Sequence, residues 1–375
     1  MKILFTGGGT GGHFYPIIAV AQEVRDLALE NKLIEPKLYF MSDDEYNSQA
    51  LADNEITFIP VKAGKVRRYF SILNFFDLFK TGIGMIQAFI KMYQIYPDVV
   101  FGKGGFASFP PLFAARILRI PVIIHESDSK PGRVNLWAGK FAQKIAVSYP
   151  EAAKFFPAEK VALTGNPIRK EILIPAKSGA FEFLNFDKTI PVIFILGGSL
   201  GAMKINDLIL DILPTLVKKY QIIHQVGKNN FDDAKKRADF ILENNPLVGR
   251  YKIFKYLDDV AMKMSAGATS LIISRAGSTI FEIANWGIPS IIIPIPEEIS
   301  HDQRSNAITY ARAGAAEVIE EKNLEPSILL AEIDNLLENK EKLEQMKIKS
   351  LEFSRPDAAK VIATALLKIS LQHET

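Results

Sequence analysis

A glycine-rich turn followed by a histidine is the part of the sequence best suited to chemistry. The apolar residues 3–5 lead into residues 7–12, of which five are glycine, and His13 follows directly. A helical pattern begins after Pro16. A strand, a glycine-rich turn and a helix place backbone N–H groups and a helix N-terminus toward an anion. An imidazole there suits proton transfer or charge stabilisation, with helix capping as the alternative role.

The same turn also matches the dinucleotide-binding fingerprint G-x-G-x-x-G, with Gly7, Gly9 and Gly12 in the glycine positions. An NAD-dependent oxidoreductase is therefore one hypothesis. In such proteins the acidic residue that contacts the ribose lies about 20 residues beyond the fingerprint. Here the first candidate, Asp43, comes considerably later in the chain, and this spacing disfavours NAD.

Length and composition narrow the class of protein. A chain of 375 residues with 48% hydrophobic and 23% charged residues predicts a globular protein of two domains. The absence of cysteine excludes disulfides, thiolate nucleophiles and Cys-ligated metals. The net charge of +3 gives no reason to expect a nucleic-acid partner. No apolar run approaches the roughly 20 residues of a membrane helix, so we expect a cytoplasmic protein with peripheral membrane contact at most.

Short β-branched runs alternate with longer helical patterns in two blocks. Several predicted strands are almost wholly apolar, as at residues 192–196 and 271–273, which is typical of parallel sheets covered on both faces. The pattern predicts two α/β domains, each a doubly wound parallel sheet, divided within the strandless segment 165–190. The predicted strands are residues 2–6, 37–41, 57–61, 98–101, 121–125, 144–148, 161–163, 191–196, 221–225, 252–256, 271–274, 290–293 and 316–319.

The second block opens as the first does, because residues 192–196 lead into a second glycine-rich stretch at residues 197–202. Ligands of open α/β sheets bind at the carboxyl ends of the strands. Two such turns in tandem domains predict an enzyme with two ligands and a cleft between its domains. Further polar or glycine-containing loops follow predicted strands at residues 102–105, 125–132, 275–282 and 294–306.

Residues 62–92 carry several basic residues and more apolar side chains than one buried helical stripe needs. A basic segment rich in aromatic and aliphatic side chains can lie in an anionic membrane interface. The alternative is a helix buried against the first sheet, which gives a similar pattern. The residues assigned to membrane contact are Lys65, Arg67, Arg68, Phe75, Phe76 and Phe79.

Taken together, the motifs resemble those of the MurG family, the peptidoglycan N-acetylglucosaminyltransferases that convert lipid I to lipid II. The resemblance covers nearly the whole chain. It implies a GT-B fold of two Rossmann-like, doubly wound domains that face a cleft, residues 1–165 and 166–353, with a final helix at 354–375 that packs back on the first. The motifs are GGGTGGHFYP (residues 7–16), GKGGFAS (102–108), IPVIIHESDSKPG (120–132), TGNPIR (164–169), GGSLGA (197–202), SRAGSTIFEIANWGIPSIIIP (274–294) and HDQRSNA (301–307).

The resemblance also implies a role for individual residues. It makes His13 the base that takes the proton from the C4 hydroxyl of the acceptor, and Glu282 the carboxylate that holds the ribose hydroxyls. The set implied for donor binding is Thr10, Gly11, Gly12, Asp128, Arg169, Ser199, Leu257, Ser278, Thr279, Glu282 and Gln303. The set implied for the acceptor side is Gly104, Gly105, His125 and Glu126.

Three departures from the family pattern bear on sugar specificity. Asp128 stands where the family usually has asparagine, and Asp302 replaces a common histidine or glutamine. The segment 275–282 is one residue shorter than the usual pattern, which affects the register of Ser278 and Thr279.

The expected activity is inverting transfer of N-acetylglucosamine from UDP-GlcNAc to lipid I by a peripheral protein at the cytoplasmic face of the cell membrane. The resemblance implies no obligatory metal or other cofactor, with a divalent cation as an optional addition. Three alternatives stay open: a related glycosyltransferase with another lipid or glycan acceptor or another sugar, an NAD-dependent oxidoreductase, and an inactive protein that binds the membrane surface.

Overall fold

The computed structural model describes residues 1–64, 73–198, 201–296 and 303–373. The chain divides into two compact units, which we describe separately. Unit 1 comprises Met1–Arg169 and Arg355–Thr375, and unit 2 comprises Lys170–Ser354. The division falls at residue 169, within the strandless segment 165–190 that the sequence pattern indicated, whereas the resemblance implied a boundary at residue 165.

Unit 1 is built on a seven-stranded sheet with the strand order β3-β2-β1-β4-β5-β6-β7. All neighbouring strands pair in parallel. The strands are β1 (Lys2–Thr6), β2 (Lys37–Ser42), β3 (Ile56–Pro60), β4 (Val99–Gly102), β5 (Val122–Glu126), β6 (Lys144–Val147) and β7 (Val161–Leu163). The helices are α1 (Gly11–Glu30), α2 (Ser48–Asp53), α3 (Leu73–Ile95), α4 (Phe109–Ile117), α5 (Arg133–Ala138) and α6 (Pro150–Ala153).

Unit 2 repeats this plan with a six-stranded parallel sheet in the order β10-β9-β8-β11-β12-β13. Its strands are β8 (Val192–Leu196), β9 (Gln221–Gln225), β10 (Tyr251–Phe254), β11 (Leu271–Ser274), β12 (Ser290–Ile292) and β13 (Ala316–Val318). Its helices are α7 (Lys170–Leu173), α8 (Ala180–Leu184), α9 (Met203–Lys219), α10 (Phe231–Ile241), α11 (Asp259–Ala268), α12 (Thr279–Trp286), α13 (Gln303–Arg312), α14 (Pro326–Glu338) and α15 (Lys340–Phe353).

The almost wholly apolar strands fit parallel sheets that are covered by helices on both faces. Every residue of β8 and of β11 is buried, as expected for strands with helices on both faces. The prediction of two doubly wound α/β domains is confirmed. Within the described residues, no helix has both the length and the hydropathy that crossing a bilayer requires.

The last helix of the chain, α16 (Ala358–His373), belongs to unit 1 and packs against α1. Its buried face includes Ile362 and Leu366, which join the core that also contains Ile17 and Val20. Helix α16 therefore covers the apolar face of α1, which would otherwise be exposed to water. This role explains why the chain carries a last helix that is not part of a strand–helix repeat.

In each unit the strand order reverses beside the first strand. Thr6 at the end of β1 pairs with Gly102 of β4, and Leu196 at the end of β8 pairs with Ser274 of β11. Such a switch point opens a crevice at the carboxyl ends of the strands, which is where α/β proteins bind ligands. Both glycine-rich turns begin directly after these strands.

We predict that Leu366→Ala lowers the free energy of unfolding of unit 1 by about 2–5 kcal/mol, since truncating a buried leucine removes apolar contacts and leaves a cavity. Leu366 is fully buried, whereas Val361 on the same helix is 49% exposed. Urea unfolding followed by Trp137 fluorescence in a Trp286→Phe background reports on unit 1. Val361→Ala is the control and should change little; equal midpoints for the two variants would show that α16 contributes no core to unit 1.

Candidate active site

The first glycine-rich turn is locked in place by close contacts that only glycine permits. Ser42 Oγ donates to the carbonyl of Gly7 over 2.8 Å. A β-carbon added to Gly8 would lie 2.6 Å from the β-carbon of Ala107. A β-carbon added to Gly105, whose φ is +81°, would lie 2.8 Å from the carbonyl oxygen of Gly8. The glycine motifs that follow β1 and β4 therefore pack directly against each other.

His13 lies in the first turn of α1, immediately after this glycine motif. Its Nδ1 is 3.1 Å from Thr10 Oγ1, and the ring is half-buried. Burial, with a smaller contribution from the positive charge of Lys103, lowers the pKa of His13 to about 3. The imidazole is therefore neutral near physiological pH and can accept a proton. Gly11 and Gly12 occupy the same first turn as His13.

A buried amine, that of Lys103, lies beside this histidine, and the sequence motifs did not single it out. Lys103 is 1% exposed, and its Nζ has no hydrogen-bond partner among the residues that the structure describes. Its backbone N–H donates to the carbonyl of Thr6, so β4 delivers it directly to the first glycine turn. Burial lowers the pKa of Lys103 to about 8, while the charges of Glu126 and Asp128 oppose that shift. The lysine within the GKGG motif was the available signal.

Glu126 ends β5 and is held inside the protein by three donors. Its carboxylate accepts hydrogen bonds from Asn135 Nδ2 (2.9 Å) and from the backbone N–H groups of Asp128 and Gly132 (both 3.0 Å). Burial raises the pKa of Glu126 to about 7, and the nearby charge of Asp128 adds to this effect. Gly104 packs against the same Asn135 with a φ of +88°. Glu126 therefore fixes the loop after β5 from within.

His125 is fully buried, so its ring has no exposed atom. Its Nε2 donates to the carbonyl of Gly165 (2.9 Å) and lies 3.2 Å from Ser148 Oγ. Burial lowers the pKa of His125 well below its ordinary value, which keeps the ring neutral. The contacts tie the end of β5 to the TGNPIR motif.

Arg169 at the end of that motif is brought to the start of α1. Its guanidinium carbon lies 3.8 Å from the centre of the Tyr15 ring, and the residue is 8% exposed. Tyr15 lies two residues after His13 on α1. This cation–π contact therefore holds the permanent positive charge of Arg169 against the first turns of that helix. The structure thus brings together Thr10, His13, Lys103 and Arg169 in unit 1.

In unit 2 the second glycine-rich turn follows β8 and leads into α9. Gly198 and Gly201 have φ values of +77° and +82°. A β-carbon on Gly201 would collide with the carbonyl of Val226 and the side chain of Asn230, so the turn lies tightly against the segment after β9. Ser199, predicted to contact the donor, lies outside the described residues.

The loop after β11 carries Ser278 and Thr279 to the start of α12, and Glu282 lies half-buried in the first turn of that helix. Gln303 at the start of α13 faces the same loop, because its Nε2 is 3.8 Å from where a β-carbon on Gly277 would stand. Its Oε1 accepts from the backbone N–H of Ile295 over 3.2 Å. These predicted donor residues are therefore gathered at one switch point.

Leu257 is linked to this site through Gln225. The backbone N–H of Leu257 donates to Gln225 Oε1 (3.2 Å), and Gln225 Nε2 donates to the carbonyl of Gly198 (3.4 Å). The Leu257 side chain is buried. Because the N–H group is already bonded and the side chain is buried, a ligand could contact this residue only through its carbonyl oxygen.

Helix α3 exposes the apolar side chains that the sequence singled out. Its inner side is narrow, with Gly84, Ala88 and Met92 buried at four-residue spacing. The exposed side chains are Phe75, Phe76, Leu78, Phe79, Ile83, Ile86, Phe89, Ile90 and Tyr93. The alternative of a helix buried against the first sheet therefore holds only for this narrow inner side, and the remaining apolar side chains are exposed. Lys65, Arg67 and Arg68 lie outside the described residues, whereas Lys80 and Lys91 on the helix are exposed.

Family models match both units. The glycosyltransferase family 28 N-terminal domain matches residues 3–147, and the family 28 C-terminal domain matches residues 192–362. Because these models describe glycosyltransferases, the hypothesis of an NAD-dependent oxidoreductase is wrong.

Relatives match almost the whole chain. A protein of Treponema denticola named UDP-N-acetylglucosamine–N-acetylmuramyl-(pentapeptide) pyrophosphoryl-undecaprenol N-acetylglucosamine transferase is 36% identical, covering 97% of this chain and 96% of its own. A protein of the same name, numbered 3, from Bacillus thuringiensis is 38% identical over 91% of this chain and 92% of its own. The crystal structure of Acinetobacter baumannii MurG shares the fold, with a TM-score of 0.71, 24% identity and coverage of 98% of this chain and 99% of its own. The chain belongs to glycosyltransferase family 28 and, within it, to the MurG family of N-acetylglucosaminyltransferases.

Proposed function

We propose that this protein transfers N-acetylglucosamine from UDP-GlcNAc to the C4 hydroxyl of the N-acetylmuramyl group of lipid I, giving lipid II. The observation that carries the proposal is the near-full-length match to relatives bearing the name of this transferase. The residues that the reaction needs are present: a neutral imidazole, His13, in unit 1 and a half-buried carboxylate, Glu282, at the switch point of unit 2.

In the proposed reaction, His13 removes the proton from the C4 hydroxyl as its oxygen attacks the anomeric carbon of the donor. The bond from that carbon to the diphosphate oxygen breaks, and UDP leaves with the electron pair. A single displacement inverts the anomeric carbon, so an α-linked donor gives a β-1,4 product. Burial keeps the imidazole of His13 neutral before the step, so a ring nitrogen is available to take the proton.

We assign the donor mainly to unit 2. We assign the diphosphate to the N-terminus of α9, because backbone N–H groups and the helix dipole favour an anion there, and to Ser199, which precedes that helix in the sequence. Glu282 accepts hydrogen bonds from the ribose hydroxyls, and the carbonyl of Leu257 faces uracil. The sugar contacts are assigned to Ser278, Thr279 and Gln303, with Thr10, Gly11, Gly12, Asp128 and Arg169 of unit 1 completing the set. Arg169 and the helix dipole stabilise the leaving UDP without an obligatory metal.

Unit 1 is assigned the acceptor. Gly104 and Gly105 let the loop after β4 pack closely against Asn135 and Gly8, and the buried amine of Lys103 supplies positive charge beside them. His125 and Glu126 are buried, so we assign them a supporting role in holding the loops that surround the acceptor.

We further propose that the exposed face of α3 contacts the cytoplasmic face of the cell membrane. Monomeric proteins rarely expose a contiguous apolar patch of this kind without an interaction that covers it. Exposed lysines on the helix and the basic residues Lys65, Arg67 and Arg68 match an anionic lipid surface. The acceptor carries an undecaprenyl chain, so a peripheral contact would bring the enzyme to its lipid substrate.

The first prediction of the proposed function tests the reaction and its base together. With UDP-GlcNAc and a lipid I analogue, the wild-type protein should release UDP only when the acceptor is present. His13→Ala should lower turnover by about 100-fold or more, because general-base catalysis is lost. UDP affinity, measured by calorimetry, should stay nearly unchanged. A fully active variant would remove the base assignment, and release of UDP with another lipid acceptor but not with lipid I would redirect the proposed function.

The second prediction concerns the ribose contact. Glu282→Ala should weaken UDP binding by about 10- to 100-fold, because two hydroxyls lose a charged hydrogen-bond acceptor. Glu338→Ala is the matched control in unit 2, since the Glu338 side chain is 74% exposed at the end of α14. Calorimetry with UDP measures both. The ribose assignment fails if Glu282→Ala and Glu338→Ala bind UDP alike.

The third prediction concerns the membrane. Replacing Phe75, Phe76 and Phe79 by serine should strongly reduce sedimentation with vesicles of phosphatidylglycerol, because each exposed ring loses apolar burial in the interface. Phe155, Phe183 and Phe240 are 54%, 50% and 78% exposed elsewhere and give the matched triple-serine control. If both triple variants sediment as the wild type does, α3 is not the membrane contact.

A further inference from the structure

Glu321 has a nearly buried side chain, and each of its two carboxylate oxygens forms an ion pair with a different basic residue. It begins the short 3-10 turn Glu321–Asn323 after β13, and its side chain is 6% exposed. Oε2 accepts from Arg275 Nη2 over 2.6 Å, and Oε1 accepts from Lys204 Nζ over 3.0 Å. Burial raises the pKa of Glu321, but the hydrogen bonds from Lys204 and Arg275 outweigh this and hold the pKa below its ordinary value. The carboxylate is therefore ionised.

The two cations belong to the two loops at the switch point of unit 2. Lys204 lies in the first turn of α9, directly after the second glycine turn. Arg275 is the first residue after β11 and opens the loop that leads to Glu282. One carboxylate thus joins loops that follow neighbouring strands β8 and β11, although the three residues are far apart in sequence.

Arg275 extends this connection to a third loop. Its Nη1 donates to the carbonyls of Ile293 (3.2 Å) and Pro294 (3.4 Å), which follow β12. That loop leads to Gln303, whose amide oxygen binds back to the backbone of Ile295. The guanidinium side chain is 14% exposed, so these contacts are shielded from water.

We propose that Glu321 is a positioning residue for the nucleotide-sugar donor: by bridging Lys204 and Arg275, it holds the start of α9, the start of the loop after β11 and residues 293–294 after β12 in the arrangement that binds the donor. This inference rests on the proposed function. Glu321 acts through the two cations and does not touch the ligand. If Glu321 loses its charge, Arg275 loses the carboxylate that fixes the orientation of its guanidinium group. Lys204 is then left as an uncompensated cation at a helix N-terminus.

The test compares Glu321→Gln with Glu320→Gln in the full-length protein. Glu320 is the adjacent residue and forms ion pairs with Arg304 and Lys322 at a distance of 2.9 Å each. Its side chain is 28% exposed and so more accessible than that of Glu321. We expect Glu321→Gln to raise the Kd for UDP and the KM for UDP-GlcNAc by about tenfold, because loop placement and not chemistry is affected. The kcat and the KM for the lipid I analogue should stay within about threefold of the wild type.

Glu320→Gln should match the wild type in every one of these measurements. A folded Glu321→Gln variant that binds UDP as tightly as the wild type overturns the inference, and so does an equal loss in kcat and in both KM values. If Glu321→Gln does not fold, Lys204→Met serves instead, since the Lys204 side chain is 68% exposed. It should weaken UDP binding by about threefold without changing the KM for the acceptor, and unchanged UDP binding would overturn the inference.

Binding of UDP-GlcNAc by the wild-type protein separates this inference from the proposed function. If the wild type does not bind UDP-GlcNAc, the proposed function fails and the role of Glu321 fails with it. If the wild type binds and Glu321→Gln binds equally well, only the positioning role is lost.

Discussion

The parallel pairing of two particular strands in each sheet is the constraint on which both sites depend. In unit 1, β1 pairs with β4, and in unit 2, β8 pairs with β11. The chain turns to opposite sides of the sheet on either side of such a pair, which leaves the carboxyl ends of the strands open to a ligand. His13 and Lys103 follow the first pair, and Arg275 and Glu282 follow the strand that completes the second. The chemistry is therefore placed by sheet topology before any side chain is considered.

One ionisable side chain in each unit shows how differently the two units hold charge. In unit 1, burial holds the imidazole of His13 neutral. In unit 2, Glu321 stays ionised because two cations contact it. A neutral imidazole can accept a proton, whereas an ionised bridge can hold loops in place. The difference suits an acceptor-activating unit and a donor-binding unit, which is the division of labour that we propose.

Much of the fold could be predicted from the sequence, because parallel strands buried on both faces are continuous apolar runs. Residues 192–196 and 271–274 show this most clearly, and the structure has strands there. The first helix begins earlier than the sequence indicated, at Gly11 and not after Pro16, so His13 lies inside its first turn. Which face of helix α3 is exposed could not be predicted in the same way. Its abundant apolar residues fit either burial or exposure, and only the narrow inner face at Gly84, Ala88 and Met92 shows that most of them face outward.

The sequence by itself determined the strands and the two glycine-rich turns, because each depends on a local pattern of apolar and glycine residues. Only the tertiary structure decided that Lys103 is buried beside His13 and that Glu321 joins Lys204 to Arg275. These contacts connect side chains from strands and loops that are distant along the chain. A single polar residue in a loop carries no periodic signal of its partner, so its role becomes visible only when the sheet has brought that partner to it.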